Sequence, residues 1–324
     1  MENPSHVTGP SEPPLLEFTI GEALDRAVER WGQADALVSL HQDVRITWSD
    51  LRERADRFAA GLLEIGVARG DRVGVWAPNG VEWTIVQFAT ARIGAIQVNI
   101  NPAYRTSELS YTLAKVGVKA LICAARFKTS DYVAMVEELL GPAAHLKQGG
   151  TSAFPLLRRL VVIGADPGPG WLAFEEVERL GLAGAGAITA VGAELSPQDP
   201  INIQFTSGTT GKPKGATLSH RNILNNAWFV GRQMGLTAGD RLCIPVPLYH
   251  CFGMVMSNLA CAVHGATMVY PSEAFEPLKV LEAVEREQCT ALHGVPTMFI
   301  AELEHPEFEQ FDLSSLRTGI MAGA

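Results

Sequence analysis

The chain has 324 residues, 47% of them apolar, and carries a formal net charge of −9. A chain of this length buries about three quarters of its unfolded surface, enough core for one large domain or two smaller ones. The acidic excess argues against a general nucleic-acid binder, which needs a basic face to displace counterions, but not against binding a small anion, for which a few local cations suffice.

The opening Met-Glu-Asn-Pro-Ser-His has no basic n-region and no apolar run before Pro13, so it does not read as a secretory signal; residues 1–14 read as a disordered arm. Thr19 caps a helix from Gly21 to Trp31, with Ala23, Leu24, Ala27 and Val28 at helical spacing. Short strands follow over Ala36 to Leu40 and Val44 to Ile46, and Thr47-Trp48-Ser49-Asp50 opens a helix that Gly66 and Gly70 end. Arg72 to Trp76 is a short apolar run between Gly-Asp and Pro-Asn, which fits a buried strand. Helix 82–92, strand 96–99, helix 107–116, strand 120–123 and helix 131–140 continue the alternation. Strands alternating with helices of about ten residues imply a parallel sheet covered on both faces.

Between Gly141 and Pro200 the pattern weakens. Leu160 to Ile163 reads as a strand and Leu172 to Leu180 as a helix, but Gly181 to Ala190 is mostly small residues and reads as loop. A boundary between two subdomains is therefore expected near 181–200. A second unit of strands and helices then runs from Ile201, with Ser219 as the N-cap of a helix to about Met234. From Leu242 to Ser272 there is no Asp, Glu, Lys or Arg, a length that would cross a bilayer. Pro245, Pro247, Gly253, Gly265, His250 and His264 interrupt it, so buried strand, loop, helix and strand fit better. The fold class expected is α/β, two doubly wound subdomains packed as a layered sandwich. Cys123, Cys243, Cys251, Cys261 and Cys289 form no Cys-x-x-Cys pair, which reads as a reduced, cytoplasmic chain without a zinc site.

Chemistry concentrates between Phe205 and Gly215, Phe-Thr-Ser-Gly-Thr-Thr-Gly-Lys-Pro-Lys-Gly, directly after an expected strand. Gly208, Gly211 and Gly215 let the backbone approach a ligand closely, so that successive N–H groups converge on an anion. Thr206, Ser207, Thr209 and Thr210 add four hydroxyls, and Lys212 and Lys214 add two cations. Polyphosphate uses all of these groups together. A Walker A loop is excluded by register, because Pro213 stands five positions after Gly208 where Gly-Lys should begin. Further on, Pro245-Val-Pro-Leu-Tyr-His-Cys-Phe-Gly253 forms a rigid turn that brings Tyr249, His250 and Phe252 to a loop mouth, with Cys251 read as packing.

The eleven residues from Phe205 to Gly215 resemble the signature loop of the adenylate-forming (AMP-binding) superfamily: acyl-CoA synthetases, luciferases and peptide-synthetase adenylation domains. The resemblance implies that Thr206, Ser207, Gly208, Thr209, Thr210, Gly211, Lys212 and Lys214 contact ATP, with Lys214 as the fixed cation, Lys212 at a looser position and Thr206 touching Mg²⁺. Pro245 to Gly253 is similar to a stretch that lines the carboxylate pocket of acyl-CoA synthetases, which places Tyr249, His250, Phe252 and Gly253 at the substrate. Gly294-Val-Pro-Thr-Met298 resembles a pocket wall, giving Val295 and Pro296, and the terminal Ile-Met-Ala-Gly-Ala resembles the start of an adenine-packing loop, giving Gly323 and Ala324. Arg45 to Leu51 and Gly94 to Tyr104 also match family motifs and read as packing.

Peptide-synthetase domains supply an Asp just after the aromatic residue here to pair a substrate ammonium; this chain has Phe252-Gly253, and no acidic residue between Asp240 and Glu273. An unpaired buried ammonium costs several kcal/mol, so an unfunctionalised carboxylic acid is favoured. The implied activity is ATP-dependent conversion of a fatty, medium-chain acid to acyl-AMP and then acyl-CoA, with Lys214 and His250 as catalytic groups and ATP, Mg²⁺ and coenzyme A as co-reactants. The family's Gly-x-Thr-Glu motif, ribose-binding Asp, hinge and lysine-bearing small domain have no match before Ala324. Residues 15–324 are thus expected to be an incomplete N-terminal AMP-binding domain, impaired by itself, of a longer enzyme. Alternatives are an acyl-AMP ligase loading a carrier protein and a non-catalytic nucleotide- or acyl-binding module. The expected partners are small molecules, with no nucleic acid and no transmembrane segment; homo-oligomerisation is compatible with this composition.

Overall fold

The computed structural model describes residues 9, 12–142, 151–164, 168–206 and 212–323. In chain order the first half contributes α1 (Ile20–Trp31), β1 (Asp35–Ser39), β2 (Val44–Thr47), α2 (Trp48–Glu64), β3 (Arg72–Trp76), α3 (Val81–Ile93), β4 (Ile96–Asn99), α4 (Thr106–Val116) and β5 (Val118–Ala124). A two-residue hairpin, β6 (Arg126–Phe127) and β7 (Ser130–Asp131), leads into α5 (Tyr132–Leu140), β8 (Arg159–Ile163), β9 (Trp171–Ala173), α6 (Phe174–Leu180) and α7 (Ile188–Gly192). The remainder is β10 (Pro200–Thr206), β11 (Lys214–Ser219), α8 (His220–Met234), β12 (Arg241–Cys243), a π-helical segment Phe252–Leu259 running into α9 (Ala260–His264), β13 (Thr267–Tyr270), α10 (Pro277–Glu287), β14 (Ala291–Gly294), α11 (Pro296–Leu303) and β15 (Thr318–Met321).

Local chemistry sets the helix starts. Thr19, Thr47 and Ser219 each accept a backbone N–H three residues on, while Glu22, Asp50 and Asn222 reach back to the cap N–H. Gly94, Gly117, Gly235 and Gly265 end α3, α4, α8 and α9 in left-handed conformation. The stretch at 181–190, expected as loop, holds a 3-10 turn at Ala185–Ala187 and the start of α7. Ile188 is buried there, and Thr189 Oγ1 accepts from Arg92 at 3.2 Å, contacts that small-residue composition does not reveal.

Two sheets organise the molecule. One runs β11-β10-β4-β3-β5-β8-β9 and the other β15-β14-β12-β13-β1-β2. Both are parallel except at β10–β11 and β1–β2. Each sheet draws strands from both sides of residues 181–200: β10 pairs with β4, and β1 pairs with β13. Between the sheets lies α3, buried on nearly every side, as a helix in a middle layer must be. It packs on β3 and β4 and reaches the other sheet through Thr84 Oγ1, 2.6 Å from the Tyr270 hydroxyl on β13. The uncharged stretch from 242 to 272 is buried strand, turn, helix and strand, as its prolines and glycines imply. No helix among the described residues is long and apolar enough to cross a membrane.

One buried charge on α11 yields a pH test. Glu302 is 4% exposed and one of its carboxylate oxygens has no hydrogen-bond partner among the described residues, and burial pushes its pKa up from 4.5 to about 7. A raised folded-state pKa means stability that is full below pH 4.5 and is lost as pH rises through 7. Glu302→Gln keeps the shape without the charge, and its unfolding free energy in urea is expected to exceed that of the parent at pH 8 by on the order of 2–3 kcal/mol and to match it near pH 4. Parallel pH profiles of the two proteins would rule this out.

Candidate functional site

An open cavity of about 550 Å³ lies at the carboxyl ends of β4 and β10, lined by Asn99, Asn101, Tyr104, Gln204, Phe205, Thr206, Pro213, Tyr249, His250 and Cys251. Its floor is a ladder of amides. Asn202 stands opposite Gln97 and Gln204 opposite Asn99 on the two parallel strands. Asn99 Oδ1 accepts from Gln97 Nε2 at 3.0 Å and from Asn202 Nδ2 at 2.9 Å, while Asn99 Nδ2 donates to the Tyr249 carbonyl at 2.9 Å. Gln97, Asn99 and Asn202 are almost fully buried, where such bonds are strongest and most costly to leave unmade.

One wall is the turn after β12. The Pro247 carbonyl accepts from His250 N–H at 3.2 Å, and the π-helical segment then begins at Phe252. Ser257 Oγ donates to the Phe252 carbonyl at 2.9 Å and lies 2.8 Å from Nδ1 of His293, which burial holds neutral with a pKa near 3. His250 Nδ1 accepts from the Phe252 N–H at 3.2 Å and so carries no proton. His250 is exposed at the surface, and the partial desolvation of its ring lowers the pKa, so at neutral pH it is uncharged with its proton on Nε2, which has no hydrogen-bond partner among the described residues and can donate toward a ligand oxygen. Burial holds the Cys251 thiol pKa up, and among the described residues its one base contact is His250 Nδ1 at 3.6 Å, an acceptor already engaged.

The opposite wall is the β10–β11 hairpin, whose register sets Thr206 against Lys214 and Phe205 against Gly215. Thr206 is exposed, with Oγ1 3.5 Å from the Lys214 carbonyl, and Lys214 is exposed at the start of β11. Lys212 is engaged differently, its Nζ 5.7 Å from the Tyr111 ring, while the Tyr111 hydroxyl donates to the Pro213 carbonyl at 3.0 Å. Ser207, Gly208, Thr209, Thr210, Gly211 and Ala324 lie outside the described residues. No group of three or more His, Cys, Asp or Glu side chains that could hold a metal ion occurs among the described residues.

The cavity brings together Thr206, Tyr249 and His250 of the residues expected from sequence. Phe252 is buried with its ring 5.2 Å from that of His293, and Gly253 is buried against the Pro247 backbone; neither lines this cavity. Val295 and Pro296 open α11, and Gly323, at φ +82°, lies against Val295, so these three form a separate cluster. Asn101 and Tyr104, read from sequence as packing, line the cavity, and burial raises the Tyr104 and Tyr249 pKa values so that both hydroxyls stay protonated. The signal that could have found this floor is the pair of amides at i and i+2 in each of two apolar strands, Gln97/Asn99 and Asn202/Gln204, which puts four polar side chains on one sheet face.

The sequence profile of the family described as "AMP-binding enzyme" matches residues 24–324. The medium-chain acyl-CoA ligase ACSF2, mitochondrial, of Rattus norvegicus is 41% identical over 327 residues, covering 99% of this chain and 53% of that protein. Among solved structures, the anthranilate CoA ligase AuaEII in complex with anthranoyl-AMP superposes with a TM-score of 0.84 at 27% identity, covering 98% of this chain and 57% of that one. The inhibitor-bound N-terminal domain of FACL13 from Mycobacterium tuberculosis gives a TM-score of 0.79 at 25% identity, with 95% and 70% covered. The chain spans about half the length of the curated relatives it matches.

Proposed function

This chain belongs to the AMP-binding enzyme family, and from that premise we propose that the protein it comes from activates a medium-chain carboxylic acid as its acyl-CoA thioester. The observation that carries the reading is that the hairpin flanking the signature loop and the His250 turn face one cavity. In the first step a carboxylate oxygen attacks the α-phosphorus of ATP, pyrophosphate leaves, and acyl-AMP forms. In the second, the CoA thiolate attacks the acyl carbonyl and AMP leaves. No protein side chain becomes covalently bound.

Each side chain has a defined task in this reading. Lys214 stabilises charge on the polyphosphate as the α–β bridge breaks, and Thr206 to Gly211 supply the N–H and hydroxyl donors that hold it in line. His250 Nε2–H orients the acyl end. Mg²⁺ would take most of its ligands from the nucleotide's own oxygens, with Thr206 Oγ1 as one protein ligand. The acid is unfunctionalised, because no carboxylate between Asp240 and Glu273 is available to pair a substrate ammonium; the name of the rat relative supports medium chain length. Five free cysteines support a reducing compartment, which we take to be the cytoplasm.

The test is acid-dependent pyrophosphate release by the native gene product across straight-chain acids from C2 to C16, with free CoA and a phosphopantetheinylated carrier protein competing as acceptor. The expected result is a maximum at intermediate chain lengths with acyl-CoA as the main product. Acyl-carrier as the main product would replace the acceptor, and saturable ATP binding without acyl-AMP would replace the enzyme reading by that of a binding module.

A further inference from the structure

The His250 turn hangs from β12 of one sheet, yet the side chains that grip it come from the other. Asn79, in the loop after β3, donates from Nδ2 to the Val246 carbonyl at 3.0 Å and accepts at Oδ1 from the Leu248 N–H at 2.8 Å. Its own N–H donates to the Glu273 carbonyl, just beyond β13. Asn79 is 5% exposed, and Val246 and Leu248 are fully buried, so no water stands ready to replace these bonds. Asn99, on the neighbouring strand β4, takes the Tyr249 carbonyl. Three backbone groups within four residues are thus fixed by two asparagines, and the last of the three is adjacent to His250.

We infer that Asn79 is the positioning residue for the acyl end of the site, holding the His250 turn in the one arrangement that aims Nε2–H into the cavity. The inference rests on the acid-activating reading above and extends it to a residue outside the cavity lining. Asn79 shapes the site only through the backbone it clamps. Displacement of a binding group by about 1 Å is enough for a hundredfold loss of productive geometry. The effect is selective, because the hairpin that carries Thr206 and Lys214 is held by β4 and Tyr111 and makes no hydrogen bond to Asn79 among the described residues.

Two variants and two readouts test it in the native gene product. Asn79→Ala removes both bonds; Asn79→Asp keeps the acceptor for Leu248 N–H but loses the donor to Val246 O, and serves if the alanine variant does not fold. The expected result is KM for the acid raised about 10- to 100-fold with KM for ATP within about twofold of the parent. The second readout needs no turnover: in a ¹⁵N-histidine titration, His250 shifts upward toward an ordinary histidine as its ring loses the Phe252 N–H bond that favours the neutral form. Loss of active enzyme with both KM values unchanged and an unmoved His250 titration would overturn the inference and leave Asn79 a fold-stabilising residue. A parent without acid-dependent pyrophosphate release defeats the functional reading separately, and the titration still decides whether Asn79 sets the His250 geometry.

Discussion

Lys214→Ala in the native gene product should lower acid-dependent pyrophosphate release by about 10²- to 10³-fold, the loss seen when one preorganised donor to developing charge is removed. Lys214 opens β11 opposite Thr206, so the hairpin register fixes where its stem leaves the sheet. Its exposure means the substitution disturbs little packing, and stability should stay within about 0.5 kcal/mol of the parent. A loss of activity would therefore report charge at the polyphosphate and not unfolding. Lys212 is the internal control, because its ammonium already rests over Tyr111; Lys212→Ala should cost tenfold less than the change at 214. Undiminished pyrophosphate release by Lys214→Ala would remove the loop from the mechanism.

Gly253→Ala should destabilise the fold by about 3 kcal/mol, at the upper end of overpacking penalties. A Cβ at 253 would stand 2.7 Å from the Pro247 carbonyl carbon and 2.8 Å from Leu248 Cα, and closer still to the Pro247 oxygen. These are backbone atoms, held between the Val246 carbonyl and the Leu248 N–H that Asn79 bonds, and they cannot move aside as a flexible side chain can. The first π-helical turn would have to back away, and His250 would move with it. Urea unfolding measures the stability loss, and the acid KM should rise in the fraction that folds. An alanine variant as stable as the parent would show that the segment does not approach the turn this closely.

Features built from residues adjacent along the chain are legible in the sequence. The caps at Thr19, Thr47 and Ser219, the strand from Arg72 to Trp76 and the punctuated stretch after Leu242 all follow from relations spanning three or four residues. The glycine-rich loop and the His250 turn are legible because their residue types and order carry the resemblance to the family. What the sequence hides is which distant segments meet. Nothing near Asn79 announces Val246, 167 positions away, and nothing near Leu37 announces Met268. Gly253 shows the same limit: its place in a family-like stretch is visible in the sequence, but its close approach to the Pro247 backbone is not.

The pairing of β1 with β13 also sets a timetable. Thr267 Oγ1 donates to the Asp35 carbonyl across 232 residues of chain, so β1 leaves the ribosome long before its partner exists. At about 5–20 residues per second the interval is on the order of 10–50 s, far longer than helices and hairpins need to form. During that time the β1–β2 hairpin presents a bare apolar edge, the kind of surface that recruits other nascent chains. The strands β3, β4 and β5 lie close together in the chain by contrast, and the sheet built on them is the platform onto which the histidine-bearing turn is clamped.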